Sequence, residues 1–326
     1  MMWLLAMLWS VLRYVVFVAV MAMAAGTFAL YLDAPVGDRG DGLYHLSKRE
    51  PLCPEWLHNL GRIPVIGTVT WVSKLYLRFL STMKTEGLEH LLHQLENRPT
   101  KTPLITVSNH TSAVDDPAVI SSVLPWKYAL PWRARWIVTS QEYSFVLGQM
   151  VRAFFYGGKS MPIWRGGGLD QPLLESIFDK VQQGKWVHIF PEGKIQQKAV
   201  IGGRTGEVAD KLGRLKWGVG KLIARADVRP VVVPFYHTNM HKIMPQDDKN
   251  NLTSLIPQSG TTITVRFGEP IDFTDLFEKY REHRVVGSES DWTTQAREYE
   301  LYSAITKRIE DAILALANGI YEKTSA

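Results

Sequence analysis

Cysteine is nearly absent. Cys53 is the single one in 326 residues, so the chain closes no disulfide within itself. Pro51 and Pro54 flank it in a loop-like stretch, a poor setting for thiolate catalysis. Blocks of Lys and Arg are also missing, which removes the footprint of a nucleic-acid binder. The glycine-rich Gly202-Gly203-Arg204-Thr205-Gly206 lacks a Gly-Lys-Ser/Thr ending and is no phosphate loop. No His-Glu-x-x-His occurs, so a metal hydrolase has little support. The sharpest local absence is charge. Residues 1–32 carry one, Arg13, and 14–32 carry none. As a helix, 14–32 is about 28 Å long, near the ~30 Å of bilayer hydrocarbon. This predicts a membrane anchor over 1–32, with Arg13 snorkelling to the headgroups. A cleaved signal would carry its charge ahead of the run, and a core helix would show a charged solvent face.

The chain has 37 Lys and Arg against 32 Asp and Glu, a net charge of +5. With the apolar start, this mild excess suits an anionic membrane surface, and ordinary solvated charge is the plainer reading. Residues 33–49 are rich in Gly and Asp and read as a linker. Over 63–83 the residues Val72, Tyr76, Phe79 and Met83 keep helical spacing, with Lys74 and Arg78 on another face. Trp56, Trp71 and Tyr76 suit an interfacial belt. The segment is expected to lie on the bilayer surface, or else to face the core. The domain plan is an anchor over 1–32, a linker and amphipathic helix over 33–85, and a folded domain over 86–326.

Beyond a short helix near 86–96, the pattern alternates. Strands are expected over 104–108, 135–139, 161–164, 186–190, 229–236 and 262–267. Helices are expected near 117–124, 145–155, 171–182 and 217–226. Such alternation predicts an α/β fold, a central mostly parallel or mixed sheet flanked by helices. Two helices close the chain, the last carrying Ala296, Tyr299, Tyr302, Ile305, Ile309, Ile313, Leu316 and Ile320 as a packing stripe. Residues 196–214 are polar and read as a mobile loop.

Chemistry concentrates at two strand ends. The first is Asn109-His110-Thr111-Ser112-Ala113-Val114-Asp115. Histidine is suited to take a proton near neutral pH, and a carboxylate at its second nitrogen fixes the tautomer. A His and an Asp five apart are alone a common accident. The second strand end is Val187-His188-Ile189-Phe190-Pro191-Glu192-Gly193-Lys194. Together they point to one cleft at one sheet edge. His188, inside a strand, reads as a buried structural residue, and Asp116 as a cap for the helix from Pro117.

The order of four motifs resembles the glycerolipid acyltransferases. They are Asn109-His110 through Asp115, Gly158-Lys159-Ser160-Met161-Pro162-Ile163-Trp164-Arg165, Phe190-Pro191-Glu192-Gly193, and Val231-Val232-Val233-Pro234. The doubled Asp115-Asp116-Pro117, and Lys194-Ile195 where many acyl-CoA-dependent relatives have Thr-Arg, resemble the superfamily's phospholipid–lysophospholipid transacylases. The resemblance implies His110 as general base and Asp115 as its orienting partner. It implies a substrate-binding set of Asn109, Arg165, Glu192, Gly193 and Lys194. Arg165 would clamp a lipid phosphate, since a guanidinium matches phosphate oxygens bidentately; Lys194 would replace the missing arginine. Glu192 would hold an acceptor hydroxyl or position Arg165, or else be a turn carboxylate capping backbone. Asn109 would brace the His110 loop. No cofactor and no metal are implied. Implied partners are cardiolipin, monolysocardiolipin and phosphatidylcholine, without nucleic acid; a homo-oligomer or a mitochondrial membrane complex would be compatible. The implied location is the mitochondrial membranes, facing the intermembrane space. Two other readings compete: an acyl-CoA-dependent 1-acylglycerol-phosphate or lysophospholipid acyltransferase, and a non-catalytic protein binding anionic lipid.

Overall fold

The computed structural model describes residues 2–35, 51–197, 215–247, 249, 251–254, 256–281 and 292–318. Most of the expected linker, 33–49, and of the expected loop, 196–214, lies outside these residues. Seven strands form one sheet: β1 (Ser81–Glu86), β2 (Leu104–Ser108), β3 (Trp136–Ser140), β4 (Ser160–Ile163), β5 (Trp186–Ile189), β6 (Val231–His237) and β7 (Thr261–Phe267). Their order is β1-β7-β6-β2-β5-β3-β4. The strands from β6 to β4 are mutually parallel, and β7 runs antiparallel to β6 with β1 parallel beside it. The α/β expectation holds. Every residue of β2 and of β5 is buried, as strands covered on both faces must be. One face packs Ile105, Val107 and Val187 against Ile305, Ile309 and Ile313 of the closing helix Trp292–Ala317. The other packs Leu104, Val233 and Ile263 against Leu91 and Val119.

Three local expectations change. Met83 fits helical spacing, yet helix α2 (Glu55–Phe79) ends before it and β1 begins at Ser81. Pairing of Ser81–Glu86 with Thr261–Arg266 decides this, and no local pattern reports a partner 180 residues away. The helix expected over 145–155 is two pieces, Gln141–Ser144 and Gln149–Gly157, parted where Phe145 turns into the core and Gly148 takes an extended ψ of 157°. Near 117–124 the chain forms a π-helical turn, Asp116–Ile120, running into Ser121–Val123.

Helix α1 (Met2–Asp33) is continuous, and its Trp9–Asp33 stretch is long and apolar enough to cross a membrane. Val11 to Val18 are exposed, whereas Ala29 and Leu30 are buried. At its closest approach α1 meets α2 backbone to backbone. A Cβ on Gly26 would lie 2.2 Å from the Gly61 nitrogen. Asp33 closes the corner, accepting from Leu52 N and Cys53 N at 2.8 Å each and from His58 Nε2 at 2.9 Å. The face of α2 with Trp56, Trp71, Val72 and Phe79 is exposed, while His58, Arg62, Ile66 and Leu77 are buried.

At the amino-terminal edge of the sheet, Trp136 gathers three cations. Arg62 lies 4.9 Å, Lys159 5.0 Å and Lys180 4.5 Å from its ring centre. Lys159 Nζ also donates to Pro131 O and Ala134 O at 2.6 and 2.8 Å. Burial, helped by the nearby Arg62 charge, lowers its pKa to about 7.

Two predictions follow from these contacts. Gly61→Val should separate α1 from α2 and cost about 3 kcal/mol or more, read from thermal unfolding of the full chain in detergent. Lys159 binds its proton more weakly folded than unfolded. Stability should therefore rise between pH 7 and the ordinary lysine range, and Lys159→Met should flatten that rise in denaturant titrations.

Candidate active site

The carboxyl ends of β2, β5 and β6 meet at one edge because β2 pairs in parallel with both neighbours. Asn109 and His110 leave β2 there, the Phe190-Pro191-Glu192-Gly193 turn leaves β5, and His237 ends β6. His110 Nδ1 lies 2.9 Å from Asp115 Oδ2. The same oxygen accepts from Thr111 N at 2.6 Å and Ser112 N at 2.8 Å. An oxygen that accepts two N–H bonds makes Nδ1 the protonated nitrogen of the neutral ring, leaving Nε2 with a lone pair. Asp115 is 1% exposed, and the His110 side chain 19%. The ring stacks on Phe190 with centroids 4.0 Å apart. A fixed imidazole with an accessible basic nitrogen can take a proton from a group delivered to the edge.

Two clamps hold the His110 backbone. Glu192 Oε1 accepts its N–H at 2.8 Å, and its carbonyl accepts from Gln196 N at 2.8 Å. Glu192 is buried, so the turn-carboxylate reading describes this oxygen: it ties the β5 turn to the β2 end. Gly193 closes the turn at φ 70°, a conformation that favours glycine. Asn109 does brace the loop. Its Oδ1 accepts His237 N–H at 3.0 Å and its Nδ2 donates to His237 O at 2.9 Å.

Other expected residues stand apart. Asp116 is no helix cap; it is buried and its carboxylate pairs with Arg135 through Nε at 2.5 Å and through Nη2. A buried carboxylate needs such a partner more than a helix end needs a cap. Arg165 follows β4, three strands from β2 and so about 14 Å across the sheet. It lies 3.7 Å from Glu142 and over the Tyr143 ring. Lys194 is exposed on the β5 turn. His188 is buried with Nδ1 3.1 Å from Thr106 O, the structural role expected.

Sequence reasoning missed His237 and Phe190 as parts of the site, and Arg135 as the partner of Asp116. A signal for His237 was available, since it directly follows the expected strand 229–236 that carries the fourth motif. Burial moves the histidines His188, His237 and His241 toward the neutral form, His241 to about 4. His110 is thus the partly exposed imidazole beside buried ones.

Asn109→Ala should leave the buried His237 N–H and carbonyl without partners. A loss of about 2–4 kcal/mol is expected in chemical denaturation, because each orphaned buried group costs roughly 1–3 kcal/mol.

Residues 90–238, which build this edge, match the Acyltransferase family. An Arabidopsis thaliana protein named N-acylphosphatidylethanolamine synthase is 34% identical over 218 residues, 66% of this chain and 73% of that protein. The Dictyostelium discoideum protein "Taffazin" is 31% identical over 269 residues, 79% of this chain and 85% of its own length. Drosophila melanogaster tafazzin is 30% identical over 221 residues, 68% of this chain and 54% of its own. The expected branch of transacylases is that of the tafazzins. Relatives that match most of this length, together with the family match over 90–238, place the chain in the glycerolipid acyltransferase superfamily, as an acyltransferase of the tafazzin branch.

Proposed function

We propose that this acyltransferase moves a fatty acyl group from one phospholipid to the hydroxyl of a lysophospholipid without CoA, and that it remodels cardiolipin. The observation that carries the reading is the 2.9 Å contact of His110 Nδ1 with buried Asp115, which leaves Nε2 as a base at the carboxyl edge of the sheet. In this reading His110 Nε2 takes the proton of the acceptor hydroxyl as that oxygen bonds to the donor ester carbonyl. The carbonyl becomes a tetrahedral oxyanion. The donor's glycerol C–O bond then breaks, and His110 returns the proton to the departing oxygen. One ester is exchanged for another of nearly equal energy, so no external activation is required.

Arg165 and Lys194 are the proposed phosphate contacts, with Asn109, Glu192 and Gly193 holding the shape of the edge. The separation of Arg165 from His110 suits a headgroup phosphate held well apart from the reacting ester. The apolar Trp9–Asp33 stretch supports action at a membrane. Mitochondrial membranes facing the intermembrane space are the proposed location, on the relationship to tafazzins.

A second reading concerns the acceptor. The name of the Arabidopsis relative makes the amine of phosphatidylethanolamine a candidate, and the same base would remove an N–H proton.

The test uses purified full-length protein in liposomes with phosphatidylcholine labelled in its acyl chain, lysocardiolipin and no CoA. Label should pass to cardiolipin with wild type and fall by about 10²–10⁴ with His110→Ala. Transfer only after acyl-CoA is supplied would overturn CoA independence. Label accumulating on the nitrogen of added phosphatidylethanolamine, in preference to lysocardiolipin, would establish the amine acceptor.

A further inference from the structure

His237 lies in the second tier of this site and has no role in the reaction as described so far. Its side chain is fully buried. Its backbone N–H and carbonyl are both held by the Asn109 amide, which fixes the strand end that carries the ring. Its Nε2 lies 2.9 Å from Asn109 O. A carbonyl only accepts, so Nε2 carries the hydrogen. Burial keeps the ring neutral, and Nδ1 therefore holds the lone pair; it has no partner among the described residues. The same Nε2 lies 3.7 Å from Asp115 Oδ2, the oxygen that holds His110. Oδ1 of Asp115 has no partner among the described residues, so the known donors converge on one oxygen.

We infer that His237 is a positioning residue for the acyl-transfer base: its Nε2–H, bonded to Asn109 O and 3.7 Å from Asp115 Oδ2, presents the positive end of its dipole to the Asp115 carboxylate, steadies it and offsets part of the negative charge that His110 feels. The inference rests on the reading of His110 as base. It separates two properties of the dyad. Thr111 N and Ser112 N set where Oδ2 sits relative to its own loop. His237, reaching from a different strand, sets where it sits relative to the sheet. Other titratable or charged groups near this cluster are His188 and Glu192 at β5, Arg135 ahead of β3, and His241 and Lys242 after β6. The variants below leave all of these in place, so a change in pH dependence reports His237 itself.

Removing the N–H dipole leaves Asp115 with more uncompensated charge and frees its rotation. His110 should then hold a proton more tightly and be less well aimed. The variants are His237→Phe and His237→Asn, whose side chains cannot place an N–H at this point, and His237→Gln, whose terminal amide reaches it. Acyl transfer is measured in phosphatidylcholine liposomes with a labelled lysophospholipid acceptor, with acyl-CoA also present so that the donor does not limit. For Phe and Asn, kcat/KM should fall about threefold or more, since a dipole 3.7 Å from a carboxylate contributes less than a full hydrogen bond to a charged group. The acidic limb of its pH profile should move up by about half a unit or more. Gln should restore both toward wild type. Should Phe fail to fold, the contrast of Asn with Gln decides. A lower rate with an unmoved limb in Asn, or equal behaviour of Asn and Gln, would overturn the inference. His110→Ala is run in parallel: full activity there would remove the base reading itself, whereas an inactive His110→Ala beside an unperturbed His237 series would remove only the positioning role.

Discussion

The carboxylate of Asp115 is the constraint on which this edge of the molecule depends. A carboxylate that is 1% exposed costs several kcal/mol unless hydrogen bonds replace its water. Thr111 N, Ser112 N and His110 Nδ1 supply them. Meeting that requirement bends the chain from His110 to Asp115 back on itself, and the bend in turn fixes the imidazole. The polar group that would destabilise the fold if left alone is thereby the group that orients its candidate base. Asp116 answers the same demand differently. It faces Arg135, so neighbouring acidic residues turn to separate cationic or N–H partners instead of sharing one.

The sheet supplies the rest of the frame. β2 sits between β5 and β6, and parallel pairing brings three carboxyl ends level. Glu192 from one side and His237 from the other then lock the two residues that leave β2. Loops alone would hold such a constellation loosely; here each locking bond is anchored to a strand buried on both faces. Arg165 belongs to the same edge but to a strand three places away, so the polar edge extends well beyond the His110–Asp115 pair.

The opposite edge carries a different arrangement. There Trp136 faces Arg62, Lys159 and Lys180, and Glu55 pairs with Arg62 at 2.5 Å. This cluster joins α2 to the sheet, and α2 in turn holds α1 through the Gly26–Gly61 approach. The apolar helix is thus seated on the domain by its last third, while most of its length remains exposed. Burial and hydrogen bonding at the α1–α2 corner, through Asp33 and His58, give that seating a defined direction.

Much of this was legible in the chain itself. Hydrophobic runs ending in polar turns marked six of the seven strands, because a buried strand must be apolar and its exit must not be. The stripe from Tyr302 through Ile313 marked the face of the closing helix. The spacing of His110 and Asp115, with Phe-Pro-Glu-Gly after a later strand, marked the candidate site, since a five-residue loop can return a carboxylate to a histidine without outside help. Three things were decided only by tertiary structure. Ser81–Glu86 became a strand because β7 offered an unpaired edge, and edge pairing overrides a helical pattern that happens to include Met83. Asp116 became an ion pair because Arg135, distant in sequence, lies beside it where the carboxylate is buried. His237 entered the site because strand order puts β6 next to β2. Short-range chemistry is written in spacing; which strands lie side by side depends on the summed packing of the whole sheet, and no local stretch of sequence records it.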